Sequence, residues 1–93
     1  VGRLLYYQKN KKTCDDNPFW CGAHFDHGVF TALTPASYFI DGQPILEPKE
    51  AGLFVKVNGC FKKIEADPEV MLFQAGEFGQ LATNDAIRAT EHR

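Results

Sequence analysis

An Asn-Gly pair at positions 58 and 59 separates two short runs, 53–57 and 60–64, that are rich in β-branched and aromatic residues. A two-residue type I′ turn needs positive φ at both central positions, and Asn and Gly adopt that conformation readily. The pattern therefore predicts a β-hairpin. The two runs are then expected to pair as neighbouring antiparallel strands.

Further short strands separated by turns are predicted along the rest of the chain. Residues 2–7 are predicted as a strand followed by a polar loop. The runs 29–34 and 38–40 are rich in β-branched and aromatic residues and are followed by Pro35 and Asp41-Gly42. The continuous apolar run 70–73 predicts a strand that is buried on both faces. Residues 80–85 fit one helical turn or a loop, and 86–93 fit a last strand. About seven or eight short strands with little helical periodicity predict an all-β fold of the sandwich or jelly-roll type.

Charge and cysteine content exclude several classes of protein. The chain has 93 residues, with 10 Lys and Arg against 12 Asp and Glu, and its formal charge is −2. This near-neutral balance argues against a nucleic-acid partner, which normally requires a basic face. No apolar run approaches the roughly 18 residues of a membrane span. Three cysteines, an odd number, without a secretion signal predict reduced, buried thiols in a cytoplasmic protein.

The two ends of the sequence lack features that close a domain. The chain starts at Val1 and stops at Arg93, directly after a histidine. We therefore expect residues 1–93 to form a partial core, a fragment of a larger domain. Short chains bury a smaller fraction of their surface, so such a fragment is expected to have limited stability.

His24 and Asp26 form a His-x-Asp motif on a segment that is predicted to be extended. Side chains at i and i+2 of a strand project to the same side, so both can face one ion, whereas His27 points away from it. His92, on the predicted last strand, can supply a third ligand. Two histidines and one carboxylate form the facial triad of non-haem Fe(II) oxygenases. A motif this short also occurs by chance with solvated or hydrogen-bonded side chains, so the spacing leaves both interpretations open.

Segment 24–33, HFDHGVFTAL, resembles the first metal motif of the 2-oxoglutarate/Fe(II)-dependent dioxygenases, in the isopenicillin N synthase-like branch. That motif is a His-x-Asp followed by Gly and a Thr-containing apolar strand. Tyr6-Tyr7 resembles the paired-aromatic strand of this family, with Gln8 where Pro is common. Four later segments resemble the family in the same order, namely 52–55, 71–77, 81–85 and 86–93.

The resemblance implies a double-stranded β-helix (jelly-roll) core and an enzyme. In this family His24, Asp26 and His92 would bind Fe(II), and Tyr7 would help to bind the co-substrate 2-oxoglutarate. Oxidative decarboxylation of 2-oxoglutarate by O2 would then be coupled to hydroxylation or a related oxidation of a small-molecule substrate. The Arg-x-Ser that binds the distal carboxylate of 2-oxoglutarate would follow Arg93. Two alternatives stay open: an iron oxidase that does not use 2-oxoglutarate, and a catalytically silent jelly-roll binding domain.

Overall fold

The computed structural model describes residues 2–8 and 21–93. The described part contains small antiparallel sheets and one short helix, in agreement with the predicted all-β class. The sheets have two strands each, and they pair β1 with β6, β2 with β3, and β4 with β5. Within these residues no helix has the length and apolar character that crossing a membrane requires. The elements are β1 Phe30–Leu33, β2 Tyr38–Ile40, β3 Gln43–Ile45, β4 Phe54–Val57, β5 Cys60–Lys63, β6 Leu72–Ala75 and helix α1 Glu77–Ala82.

The predicted hairpin is confirmed as the pair β4–β5. Asn58 has φ 50° and Gly59 has φ 80°, as a type I′ turn demands. A second hairpin, β2–β3, has Asp41 and Gly42 at φ 49° and 76° in its turn. Its second strand was not predicted, because Pro44 interrupts the pattern. Proline is tolerated there because β3 is an edge strand.

Replacement of Gly59 by alanine is expected to destabilise the β4–β5 hairpin. The left-handed conformation costs an L-residue with a Cβ roughly 1–2 kcal/mol, and Gly59 lies in that region at φ 80°. Urea unfolding should show a decrease of this size for Gly59→Ala. Gly2→Ala is the control, because a Cβ at Gly2 meets nothing within 4 Å and its φ is not positive. An equal effect of both substitutions would contradict the turn assignment.

Residues 91–93 lie between His24 and strand β4 and connect the sequence-distant parts of the site. The backbone groups of His92 exchange hydrogen bonds of 2.9 and 3.0 Å with those of His24. On the other side, Arg93 and Phe54 exchange two bonds of 2.9 Å. The predicted last strand is therefore confirmed only around His92, since 86–90 contains no strand.

Two strand predictions are wrong. Residues 2–7 contain no strand, and Leu4 there is 100% exposed. A strand needs a neighbour for its backbone groups, and no described segment pairs with this one. The run 70–73 is not buried on both faces, because Phe73 projects from the outer face of β6 and is 69% exposed. The buried residues of β6 are instead Gln74 and Ala75.

Candidate metal centre

Three side chains from two distant segments of the sequence converge at one place. His24 and His92 are directly opposite each other in an antiparallel bridge, which puts both imidazoles on one face. Asp26 follows His24 by two residues, and its Oδ1 lies 3.6 Å from Nε2 of each histidine. One ligand atom from each of the three residues lies within 4.8 Å of the other two. The structure thus brings together the three residues that the sequence predicted as metal ligands.

Both histidines are oriented by hydrogen bonds of their second ring nitrogen. Nδ1 of His24 lies 2.8 Å from the carbonyl oxygen of Gly22, and Nδ1 of His92 lies 2.9 Å from that of Thr90. A carbonyl oxygen only accepts hydrogen bonds, so Nδ1 is the donor in each ring, and in the neutral ring Nε2 then carries the lone pair. Metal-ligating histidines characteristically donate from the other nitrogen in this way.

Asp26 is a half-buried carboxylate whose other oxygen, Oδ2, accepts two hydrogen bonds. The hydroxyl of Thr31 donates at 2.6 Å and the amide of Gln74 at 2.5 Å. Burial by itself raises the pKa of Asp26. The two hydrogen bonds and the nearby imidazoles of His92 and His24 outweigh burial, so this pKa lies below its usual value. Asp26 is therefore ionised at neutral pH and can act as an anionic ligand.

Helix α1 supports Asp26 through the backbone. The N–H of Glu77 donates to the carbonyl oxygen of Asp26 at 2.8 Å, and the N–H of Gly76 donates to that of Val29 at 2.9 Å. A Cβ at position 76 would overlap the carbonyl oxygen of Gly28 and lie 3.0 Å from that of Asp26. Glycine is required at 76 by this close approach and not by its φ of −101°.

Sequence reasoning missed Thr31 and Gln74 as residues of the site. Gln74 is only 8% exposed, and its Oε1 is buried without a hydrogen-bond partner among the described residues. Such an atom costs about 1–3 kcal/mol, so an amide at this position requires a reason other than packing. The available signal was the polar residue in the otherwise apolar run 71–75.

The other residues considered from the sequence do not belong to the group of three ligands. His27 is exposed and 3.2 Å from the Glu77 carboxylate, away from the ligand group, as predicted. Tyr7 lies in the described segment 2–8 and is half exposed, and its contact with a co-substrate stays a prediction. The Arg93 guanidinium lies 4.0 Å from the centre of the Phe61 ring, a packing contact. The cysteines were predicted to be buried, which is wrong for Cys21 and Cys60; Cys14 lies outside the described residues.

The donor set fits a divalent transition metal. Neutral imidazole nitrogens and one carboxylate suit Fe(II), and two histidines with a carboxylate are the protein ligands of non-haem iron oxygenases. Three protein ligands also leave positions for reactants, as a catalytic metal site requires. Comparison with protein-family models, curated proteins and solved structures finds no match to this chain. The geometry of the three ligands is accordingly the principal observation on function.

Proposed function

We propose that this chain is the iron-binding core of a non-haem oxygenase that uses Fe(II), 2-oxoglutarate and O2 to oxidise a small molecule. The observation that carries the proposal is the convergence of His24, Asp26 and His92, with both imidazoles oriented through Nδ1. The family resemblance of the sequence, which runs in the same order along the chain, supports iron over other metals. It also supports the jelly-roll core and 2-oxoglutarate as the co-substrate.

The residues of the chain bind the metal ion and orient the reactants, while the metal ion carries the redox chemistry. When bound, Fe(II) supplies the activation of O2 and the oxidation of 2-oxoglutarate at positions that the protein leaves open. Asp26 contributes the negative charge of the ligand set, and the two histidines contribute neutral donors.

A cavity lined in part by Gln74, whose amide contacts Asp26 and His92, offers a place for an organic molecule. It has a volume of about 170 Å³ and is bordered by Gln74 and Thr90. Its other lining residues, among them Val55 and Leu72, are aliphatic or aromatic. Binding sites for small molecules are commonly concave and apolar with a few polar groups. We place the small-molecule substrate at this cavity.

The proposal is tested by the formation of succinate from 2-oxoglutarate in the presence of Fe(II), O2 and ascorbate. We expect Fe(II)-dependent succinate from the unmodified protein and none above background from Asp26→Ala, because that substitution removes the anionic ligand. Asp67→Ala is the matched control, because Asp67 is exposed on a turn and is not one of the ligand group. It should leave the rate unchanged.

Two other outcomes would overturn the proposal. Iron binding without succinate formation would favour an oxidase that does not use 2-oxoglutarate. The absence of iron binding would favour a binding domain without catalytic activity. Equilibrium dialysis with Fe(II) under anaerobic conditions distinguishes these two outcomes.

A further inference from the structure

The two oxygens of the Asp26 carboxylate have different surroundings. Thr31 and Gln74 are partners in the β1–β6 register, so their side chains lie next to each other on one face. Both donate to Oδ2, at 2.6 and 2.5 Å. Oδ1 is instead the oxygen that lies 3.6 Å from the Nε2 atoms of both histidines. The strand pairing thus holds one oxygen and leaves the other for an ion.

The orientation of the Gln74 amide follows from these contacts. Its Nε2 lies 2.5 Å from Oδ2 of Asp26 and 3.1 Å from Nε2 of His92. With the amide reversed, Oε1 would face a carboxylate oxygen, and neither of the two atoms can donate. The nitrogen must therefore point towards the ligands. Because Gln74 is 8% exposed, water has little access to replace this hydrogen bond.

We propose that Gln74 is a positioning residue that restricts Asp26 to binding the ion through Oδ1 alone. This inference rests on the proposed function of the three ligands as a metal centre. A carboxylate that binds through both oxygens takes an additional coordination position. An enzyme that must admit both 2-oxoglutarate and O2 needs that position, so the hydrogen bonds to Oδ2 preserve the capacity of the site for its reactants.

The contact between Gln74 and His92 opposes metal binding, but it is weaker than the contact between Gln74 and Asp26. The amide and an ion compete for the lone pair of His92 Nε2, so this hydrogen bond opposes metal binding. Hydrogen bonds to an ionised group are shorter and roughly twice as strong as those between neutral groups. The 2.5 Å bond to the Asp26 carboxylate therefore outweighs the 3.1 Å bond to the neutral imidazole. An ion that binds His92 therefore displaces the weaker of the two contacts, and Gln74 keeps the stronger bond that orients Asp26.

The test uses Co(II), whose visible absorption reports coordination number, as a substitute for Fe(II). Gln74→Met keeps the length of the side chain and removes the donor. Loss of a hydrogen bond to a metal ligand typically costs about 10–100-fold in metal affinity. We expect a Co(II) dissociation constant raised by that factor. We also expect a changed visible spectrum, because Oδ2 then keeps only the hydrogen bond from Thr31 and is less restrained from binding the ion. Urea unfolding without metal measures the structural cost separately.

Gln80→Met is the matched control. Gln80 is likewise a hydrogen-bonded amide, with Asp85 and Ala89 as partners, but it hydrogen-bonds to none of the three ligands. It should change metal-free stability while leaving the Co(II) spectrum as in the unmodified protein. An unchanged or increased Co(II) affinity of Gln74→Met, or an unchanged spectrum, would overturn the role of Gln74 alone. Failure of the unmodified protein to bind either Fe(II) or Co(II) would overturn the proposed metal centre itself.

Discussion

His24→Ala is expected to lower the affinity for Fe(II) by more than about 100-fold, beyond the range seen when only a supporting hydrogen bond is lost. The substitution removes one of two imidazole ligands and leaves the other two side chains in place. The His24 side chain is 42% exposed, so its loss should affect folding much less than the loss of the buried His92. Anaerobic titration with Fe(II), followed by dialysis, measures the affinity directly.

His27→Ala provides a matched control three residues away. The His27 side chain is 94% exposed and interacts with Glu77, outside the ligand group. Substitutions at such surface positions usually change free energies by less than about 0.5 kcal/mol, so the Fe(II) affinity should stay within about twofold. Equal losses in the two variants would indicate nonspecific binding by histidines and would contradict the assigned ligand set.

The ligands could be predicted from the sequence because most of the information is local. The His-x-Asp spacing alone puts His24 and Asp26 on the same side of an extended segment. The residues that hold the carboxylate could not be predicted in this way. Thr31 and Gln74 meet only through the register of β1 with β6, and a shift by one residue would turn either side chain to the other face. Register between distant strands is a property of the folded chain.

The hairpin β4–β5 was predicted more accurately than the beginning of helix α1. Asn58-Gly59 determines its hairpin locally through its φ angles. The beginning of helix α1 depends instead on tertiary contacts. The sequence predicted one helical turn or a loop over 80–85, whereas α1 begins at Glu77. Its first N–H groups donate to carbonyl oxygens of residues 26–28, which offsets the low helix propensity of glycine.

The most deeply buried side chains of the described residues belong to the candidate site or adjoin it. Among the described residues, the buried polar side chains His92 and Gln74 are 6% and 8% exposed, comparable to the buried hydrophobic residue Ala75 at 9%. Burying polar groups is costly unless they are hydrogen-bonded. Here their hydrogen bonds converge on Asp26 and on the backbone of Thr90. The best-shielded part of the described chain is therefore organised around the candidate ligands.

Gly76→Ala is expected to disturb stability and metal binding together. The added Cβ would overlap the carbonyl oxygen of Gly28, a backbone atom that cannot rotate away. Overpacking of this kind costs about 1–3 kcal/mol, and contact with backbone favours the upper end. To relieve it, α1 must move from the loop that positions Asp26, so Fe(II) affinity should fall as well. Gly28→Ala, where a Cβ meets nothing within 4 Å, should change neither quantity in urea unfolding and Fe(II) titration. If Gly76→Ala lowered stability but left affinity intact, the hydrogen bond from Glu77 would not be what holds Asp26 in place.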